Sequence, residues 1–288
     1  MAERDKKEGA TLESIPLIID GVINTAWAIL PSKLEEIMAV LQSKNSGAVI
    51  EMADKNKQTE PSKGRNYSVK DGIAEILIEG TLSKRMGFIQ ALSGGTSYEN
   101  IQGQIQKAES DPAVRGIFYE YDSPGGNVIG MFNTADMIFN AKKQSMSFCN
   151  GLMASAAYIT GSGADYVIAS DVSAELANVG VVSVHFDKSK QYEKEGVRPT
   201  VISAGKFKAI GNPYERLKDK DLNHLKSKID YMYSLAVNTV SRNRSVSVEH
   251  LVEKIGAELL IGEQAISAGL ADEILTRPQA IERLKEMI

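Results

Sequence analysis

Cysteine is almost absent. Cys149 stands alone, so no internal disulfide can form, which suits a reducing compartment. The bland expectation for it is a small buried hydrophobe. Histidine is nearly as scarce, at three residues: His185, His224 and His250. Any histidine-dependent chemistry therefore has few candidates. Charge of one sign is also lacking. Lys and Arg number 33 against 37 Asp and Glu, a net −4, which argues against nucleic acid or an anionic membrane as the main partner. Long hydrophobic runs are missing too. The best candidate for a span, "IPLIIDGVINTAWAILP" at 15–31, is broken by Asp20, Asn24 and two prolines, well short of the roughly 20 apolar residues a membrane helix needs. Nor does the start read as a signal peptide. "MAERDKKEG" is followed by Glu13, and no compact apolar core ends at a small-residue cleavage site. The expectation is a cytoplasmic protein with no membrane partner. No repeat of fixed period is present.

What remains is a globular composition, 43% hydrophobic and 24% charged over 288 residues, enough for one large domain with appendages. Residues 1–50 form an apolar-rich N-terminal arm with a helix expected over 32–43. Residues 51–66, "EMADKNKQTEPSKGRN", are polar and aperiodic and read as a linker or mobile loop. From 67 to 288 strands and helices alternate, the pattern of a layered α/β domain. Strands are expected at 72–79, 116–121, 146–150, 166–170, 179–185 and near 199–203. Helices are expected at 97–110, 128–143, 155–164, 187–195, 219–242, 247–255 and 262–269. The second of these should bury Val128, Ile129, Phe132, Ala135, Ile138 and Phe139 at helical spacing.

Two stretches carry chemistry. In "YDSPGGNVIG", from 121, a strand runs into Pro-Gly-Gly and a helix follows. Glycine costs backbone entropy there, and its use makes sense where bare amides face a developing negative charge. A plain strand-to-helix turn would also explain it. In "FCNGLMASAAYITGSG", from 148, a strand ends and a helix of small residues begins at Ser155. That helix N-terminus favours an anion, and the Ala156 amide could complete an oxyanion hole with Gly125 or Gly126. A simple capping serine is the competing account. A serine nucleophile needs a base. His185 follows an expected strand. Lys206 and Lys208 lie in "VISAGKFKAIGNPYERL", a Gly-bearing loop. A lysine serves as base only when neutral, through desolvation or a nearby positive charge, and Phe207 and Ile210 could supply the dryness.

Three blocks in order, "DSPGG", "MASAAY" and "SAGKFKAIGNPY", with the ending "LLIGEQAISAGLADEI", resemble the signal peptide peptidase A family of serine-lysine proteases on the Clp/crotonase fold. The resemblance is nearest to the capsid assembly (head maturation) proteases of tailed phages and covers roughly residues 70–276. It implies an α/β fold of repeated ββα units with an N-terminal helical appendage, and an endopeptidase domain over 67–288. It puts the nucleophile on Ser155, the general base on Lys208, and the oxyanion hole on Gly125, Gly126 and Ala156. Where the family often carries Thr-Gly-Ser, this chain has Leu176, Ala177 and Asn178, so Asn178 takes the lysine-orienting place. No metal and no cofactor are implied. Closed homo-oligomers are, with scaffold, capsid or self as protein substrates and the prohead in the host cytoplasm as the place of action. Two other readings stay open: a Clp-like Ser155/His185/Asp triad, and a catalytically silent scaffold or crotonase-type acyl-CoA enzyme.

Overall fold

Residues 25–45, 67–85 and 95–288 are described by the structure, a computed structural model. The linker expected at 51–66 lies outside them. The chain opens with a short strand β1 (Trp27–Ile29) and helix α1 (Pro31–Asn45). Strands β2 (Ser68–Lys70) and β3 (Ile73–Glu79) precede helix α2 (Tyr98–Ser110), whose first turn is capped by the Ser97 hydroxyl accepting from the Asn100 amide. Then come β4 (Gly116–Ser123), β5 (Gly125–Asn127) and α3 (Met131–Phe139). Strand β6 (Gln144–Ala154) leads into α4 (Ala156–Gly161). Strands β7 (Tyr166–Ala169) and β8 (Glu175–Ala177) follow, then α5 (Ser189–Lys194) and the long α6 (Asp219–Arg244). A π-helical turn (His250–Ile255), β9 (Leu259–Ile261), α7 (Gly262–Ser267), β10 (Glu273–Ile274) and α8 (Arg277–Met287) complete the chain.

The main sheet runs β10-β7-β6-β4-β3-β2, parallel except at the β2–β3 edge. Its inner strands are predominantly apolar, as in "GIFYEY" of β4, because helices cover both faces; the charge of Glu120 within that run is met by Arg277. Strand β6 pairs with β4 on one edge and is long enough to serve two neighbours on the other. Met146–Cys149 pair with β7, and Leu152–Ala154 pair with β8, which in turn pairs with β9. The chain thus passes out of one layer at Asn150–Gly151 and delivers Ser155 at the end of the next. Successive strand–strand–helix units, such as β4–β5–α3, make this the α/β architecture that the resemblance implies.

One face of the sheet packs on α2 and α4, with α3 against both of these helices and α6 against α3 and α4. The other is closed by α8, whose Ala280 and Leu284 cover Ile73, Phe118, Met146, Phe148 and Ile168. Arg277 pins α8 down by pairing with Glu75 (3.0 Å) and Glu120 (2.9 Å) over the Phe118 ring. At the other end of the domain Arg244, 8% exposed, pairs with Asp272 at 2.7 Å, and Asp272 also accepts from the Val167 amide. Burial pushes the Cys149 thiol well above its ordinary pKa, as expected of an inert packed cysteine.

Several sequence expectations need correction. No strand forms over 179–185. The pairing segment is β8, earlier in the chain, and Val182 makes only a single bridge, to Trp27. Residues 199–203 take no regular structure. The helix after the Gly-Gly turn starts only at Met131, because Gly130 sits at φ +98; Ile129 falls before it and is 59% exposed, and Phe139 is 39% exposed. The 247–255 helix is π-helical from His250. Helix α8 was not expected from the sequence.

Candidate active site

Ser155 stands at the junction between β6 and α4. Its backbone is held at φ 54, ψ −117, a region an L-residue rarely adopts. Such a sharp strand-to-helix elbow lifts a nucleophile clear of the sheet. The constraint is imposed from the neighbouring strand, where the Ser155 amide donates to the Ala177 carbonyl at 2.6 Å. Ala177 and Asn178 are themselves at φ 81 and 55. Three strained non-glycine residues therefore meet around one hydroxyl, and strain of this kind persists only where surrounding structure fixes it. The Ser155 hydroxyl donates, at 3.5 Å, to the Gly180 carbonyl, which is the outer limit of a hydrogen bond. Ser155 is 1% exposed.

The Gly-Gly turn lies directly against it. Gly125 is at φ +101, and a Cβ there would strike the Ala28 carbonyl oxygen and come within 3.0 Å of both the Ala154 oxygen and Ser155 Cβ. The two glycine amides are not equivalent. The Gly125 amide donates to Ser123 Oγ (3.2 Å), and Ser123 Oγ donates in turn to the Gly80 carbonyl (2.7 Å). Gly126 faces β1 and the Leu82 backbone. The Ala156 amide is the first of the helix N–H groups that lack an intrahelical acceptor. Of the expected oxyanion set, then, Gly126 and Ala156 present donors, and Gly125 supplies room and turn geometry. The buried Ser123 hydroxyl that fixes this turn was not singled out from sequence; its place directly before Pro-Gly-Gly was the available signal.

The base candidates are elsewhere on the chain. Lys208 lies exposed in the irregular segment between α5 and α6, where its amide closes a turn on the Gly205 carbonyl at 3.1 Å. Beside it Phe207 stacks on His224 at 4.0 Å, with the Lys206 ammonium 4.9 Å from the same ring. Phe207 is 47% exposed, so it does not dry the serine within one chain. His185 is half-buried, and the neighbouring Asp187 carboxyl is held below its usual range chiefly by the Ser189 hydroxyl. Neither Lys208 nor His185 hydrogen-bonds Ser155. Asn178 donates its side-chain amide to the Ala257 carbonyl at 2.8 Å, which leaves its oxygen as an acceptor. Among the described residues no group of His, Cys, Asp and Glu is arranged to hold a metal ion, and no helix is long and apolar enough to cross a membrane.

A model of peptidase family S49 matches residues 138–288, more than half of the chain. The chain belongs to peptidase family S49. Within that stretch fall Ser155, Asn178 and Lys208; the Gly-Gly turn precedes it. The chain is 34% identical over 230 residues to the capsid assembly protease C of Escherichia phage lambda, across 79% of this chain and 52% of that protein. It is 32% identical over 219 residues to the head-tail preconnector protein GP5 of Enterobacteria phage P21, across 75% and 43%. The chain thus spans about half the length of these curated relatives. Among solved structures it is similar to a ClpP1 variant from Listeria monocytogenes, with TM-score 0.46 and 16% identity over 72% of this chain and 94% of that one.

Proposed function

We propose that this S49 chain is a serine endopeptidase with a Ser155/Lys208 dyad, acting on scaffold and capsid proteins, and on itself, inside the phage prohead in the host cytoplasm. The strained elbow at Ser155, set against the Gly125–Gly126 turn, carries the reading. Ser155 Oγ attacks the substrate carbonyl carbon, its proton passing to the neutral Lys208 amine. The new oxyanion lies between the Gly126 and Ala156 amides. Collapse breaks the C–N bond, the leaving amine takes the proton, and water then hydrolyses the acyl-serine. Because Lys208 is exposed and makes no hydrogen bond to Ser155 within its own chain, a closed homo-oligomer is the natural setting, with Lys208 of one copy serving Ser155 of the next. Asn178 orients the lysine through its free carbonyl oxygen.

A fluorophosphonate probe tests the nucleophile: it should label Ser155 and nothing in Ser155→Ala. Mixing Ser155→Ala chains with Lys208→Ala chains tests the shared site. Each alone should be near background on a peptide substrate, and the mixture should regain activity. Full activity in either single variant would refute the dyad. An active Lys208→Ala chain that His185→Ala silences would pass the role to the histidine triad.

A further inference from the structure

We propose that Ala26–Leu30 occupies the peptide-substrate cleft, and that the cleft is built for an extended peptide with a small side chain at every second position. The occupancy is read from the strand pairing; that the cleft is catalytic rests on the proposed serine protease reading. Strand β1 runs between two other segments and is antiparallel to both. On one side it pairs with the Gly-Gly turn, Trp27 opposite Asn127, Ala28 opposite Gly126 and Ile29 opposite Gly125. On the other, Trp27 exchanges two hydrogen bonds with Val182, both at 2.8 Å. The Leu30 amide donates to the Pro124 carbonyl and the Val128 amide to the Ala26 carbonyl. Antiparallel alternation then makes Ala28 and Gly126 a hydrogen-bonded pair between those two. The Ala28 carbonyl therefore sits on the Gly126 amide, the donor expected to receive a substrate carbonyl, and against Gly125 next to Ser155 Cβ. Main-chain pairing on both edges is how an extended peptide is held in a groove. It also accounts for a nucleophile that is 1% exposed.

Side chains divide by the two-residue period of a strand. Trp27 and Ile29 point into a separate apolar cluster with Leu34, Ile37 and Met38, roofed by Val182, Val184 and Phe186. Ala26 and Ala28 point the other way, into the main core beside the catalytic turn, and Ala28 is fully buried. Only two methyl groups enter the main core, so withdrawal of the strand leaves that core packed. The clip that holds it down is the Trp27/Ile29 cluster. The same two positions define the subsites: methyl-sized at Ala26 and Ala28, broad and apolar at Trp27 and Ile29.

The experiment uses full-length Ser155→Ala chain, so that binding is read independently of catalysis. The probe is a fluorescein-labelled synthetic peptide of residues 24–31. Adding Trp27→Asp and Ile29→Asp should free the cleft and tighten peptide binding at least tenfold over the chain with its own strand in place. Ile29→Ala alone should give an intermediate gain. A peptide with leucine in place of both alanines should fail to bind. Equal binding to all three chains, indifference to the alanine-to-leucine change, or unfolding of both strand variants in a melting scan would each overturn the proposal and make β1 a permanent structural strand. With Ser155 restored, the displaced chain should react with fluorophosphonate at least tenfold faster. Tight peptide binding without any labelling would leave the occupied cleft standing and refute the nucleophile assignment.

Discussion

Replacing Gly126 by alanine should cost both stability and turnover, and the structure sets the size of each. Gly126 bridges in parallel to Leu82. A Cβ there would lie 2.6 Å from the Leu82 carbonyl carbon and Cα, and closer still to its oxygen. Ordinary carbon contacts are about 3.5–4.0 Å, so about 1 Å must come from moving backbone. Leu82 is not free to give it. Its amide donates to the Gly125 carbonyl at 2.9 Å, and its carbonyl accepts from the Asn127 amide at 2.8 Å. Losing these two bonds costs about 1 kcal/mol each, and overpacking about 1–3 kcal/mol more. A loss of about 3–5 kcal/mol is expected, which many domains of this size survive. On the proposed mechanism, the displaced amide of the molecules still folded no longer meets the oxyanion, which lowers kcat by about 10²–10³. Urea midpoints and peptide turnover, measured well below the variant's own melting temperature, separate the two effects. Gly151→Ala is the control. It sits at φ +94 with no heavy atom within 4 Å of an added Cβ, so it carries conformational strain alone, about 1–3 kcal/mol, and should keep parental turnover. A Gly126→Ala protein with parental stability and turnover would refute the close-approach argument. So would a Gly151→Ala protein that loses activity to the same degree.

Ser155→Gly should abolish fluorophosphonate labelling while raising thermal stability by about 1 kcal/mol, because glycine relieves a strained φ of 54; a fall in melting temperature would mean the elbow is not under strain. Arg244→Ala should destabilise by about 1–2 kcal/mol in urea: the guanidinium is 8% exposed, but Asp272 is 31% exposed and keeps the Val167 amide. Lysine should recover only part of this, because the second contact, Arg244 Nε to the Gly269 carbonyl, is lost with the guanidinium. Leu284→Ala should cost about 2–5 kcal/mol by emptying the contact between α8 and the sheet, with labelling of Ser155 retained by the folded fraction.

The strands that run parallel through the centre were legible because they are rich in aliphatic, β-branched and aromatic residues, most clearly "GIFY" in β4, where burial on both faces favours an apolar run; in β3 the more exposed side, Glu75, Leu77 and Glu79, alternates with a buried one. The helices α2 and α6 were legible for the opposite reason, a clear polar face. What failed was short pairing at the margins. "VGVVSVH" has the composition of a strand, yet Val182 finds only Trp27 as a partner, and a strand exists only where a neighbour offers a ladder. Helix α8 was legible but overlooked: Thr276 and Gln279 form a capping box, Pro278 stands in the first turn, and Ala280, Ile281, Leu284, Met287 and Ile288 fall at helical spacing. Its stability comes from Ala280 and Leu284 docking on the sheet and from Arg277 reaching Glu75 and Glu120, and sequence shows none of those distances.

The site divides along the same line. Glycines announce backbone need, so the Gly125–Gly126 turn was legible, although the reasons for the two differ: positive φ at one, contact with Leu82 at the other. Strain at non-glycine residues announces nothing. Ser155, Ala177 and Asn178 adopt positive φ with side chains that give no hint of it; the tertiary ladder between β6 and β8 forces them there. Strand β1 was illegible for a further reason. "TAWAIL" is too short and apolar to distinguish a packed arm from a paired strand, and its partners lie about 100 and 155 residues further along the chain. Yet its alternation of alanine with Trp27 and Ile29 is the feature that makes sense of the arrangement. A segment meant only to fill a core would gain by carrying larger side chains on both faces. One that lies beside Ser155, the proposed nucleophile, with its Ala28 carbonyl against the Gly-Gly turn, has room there for nothing beyond a methyl.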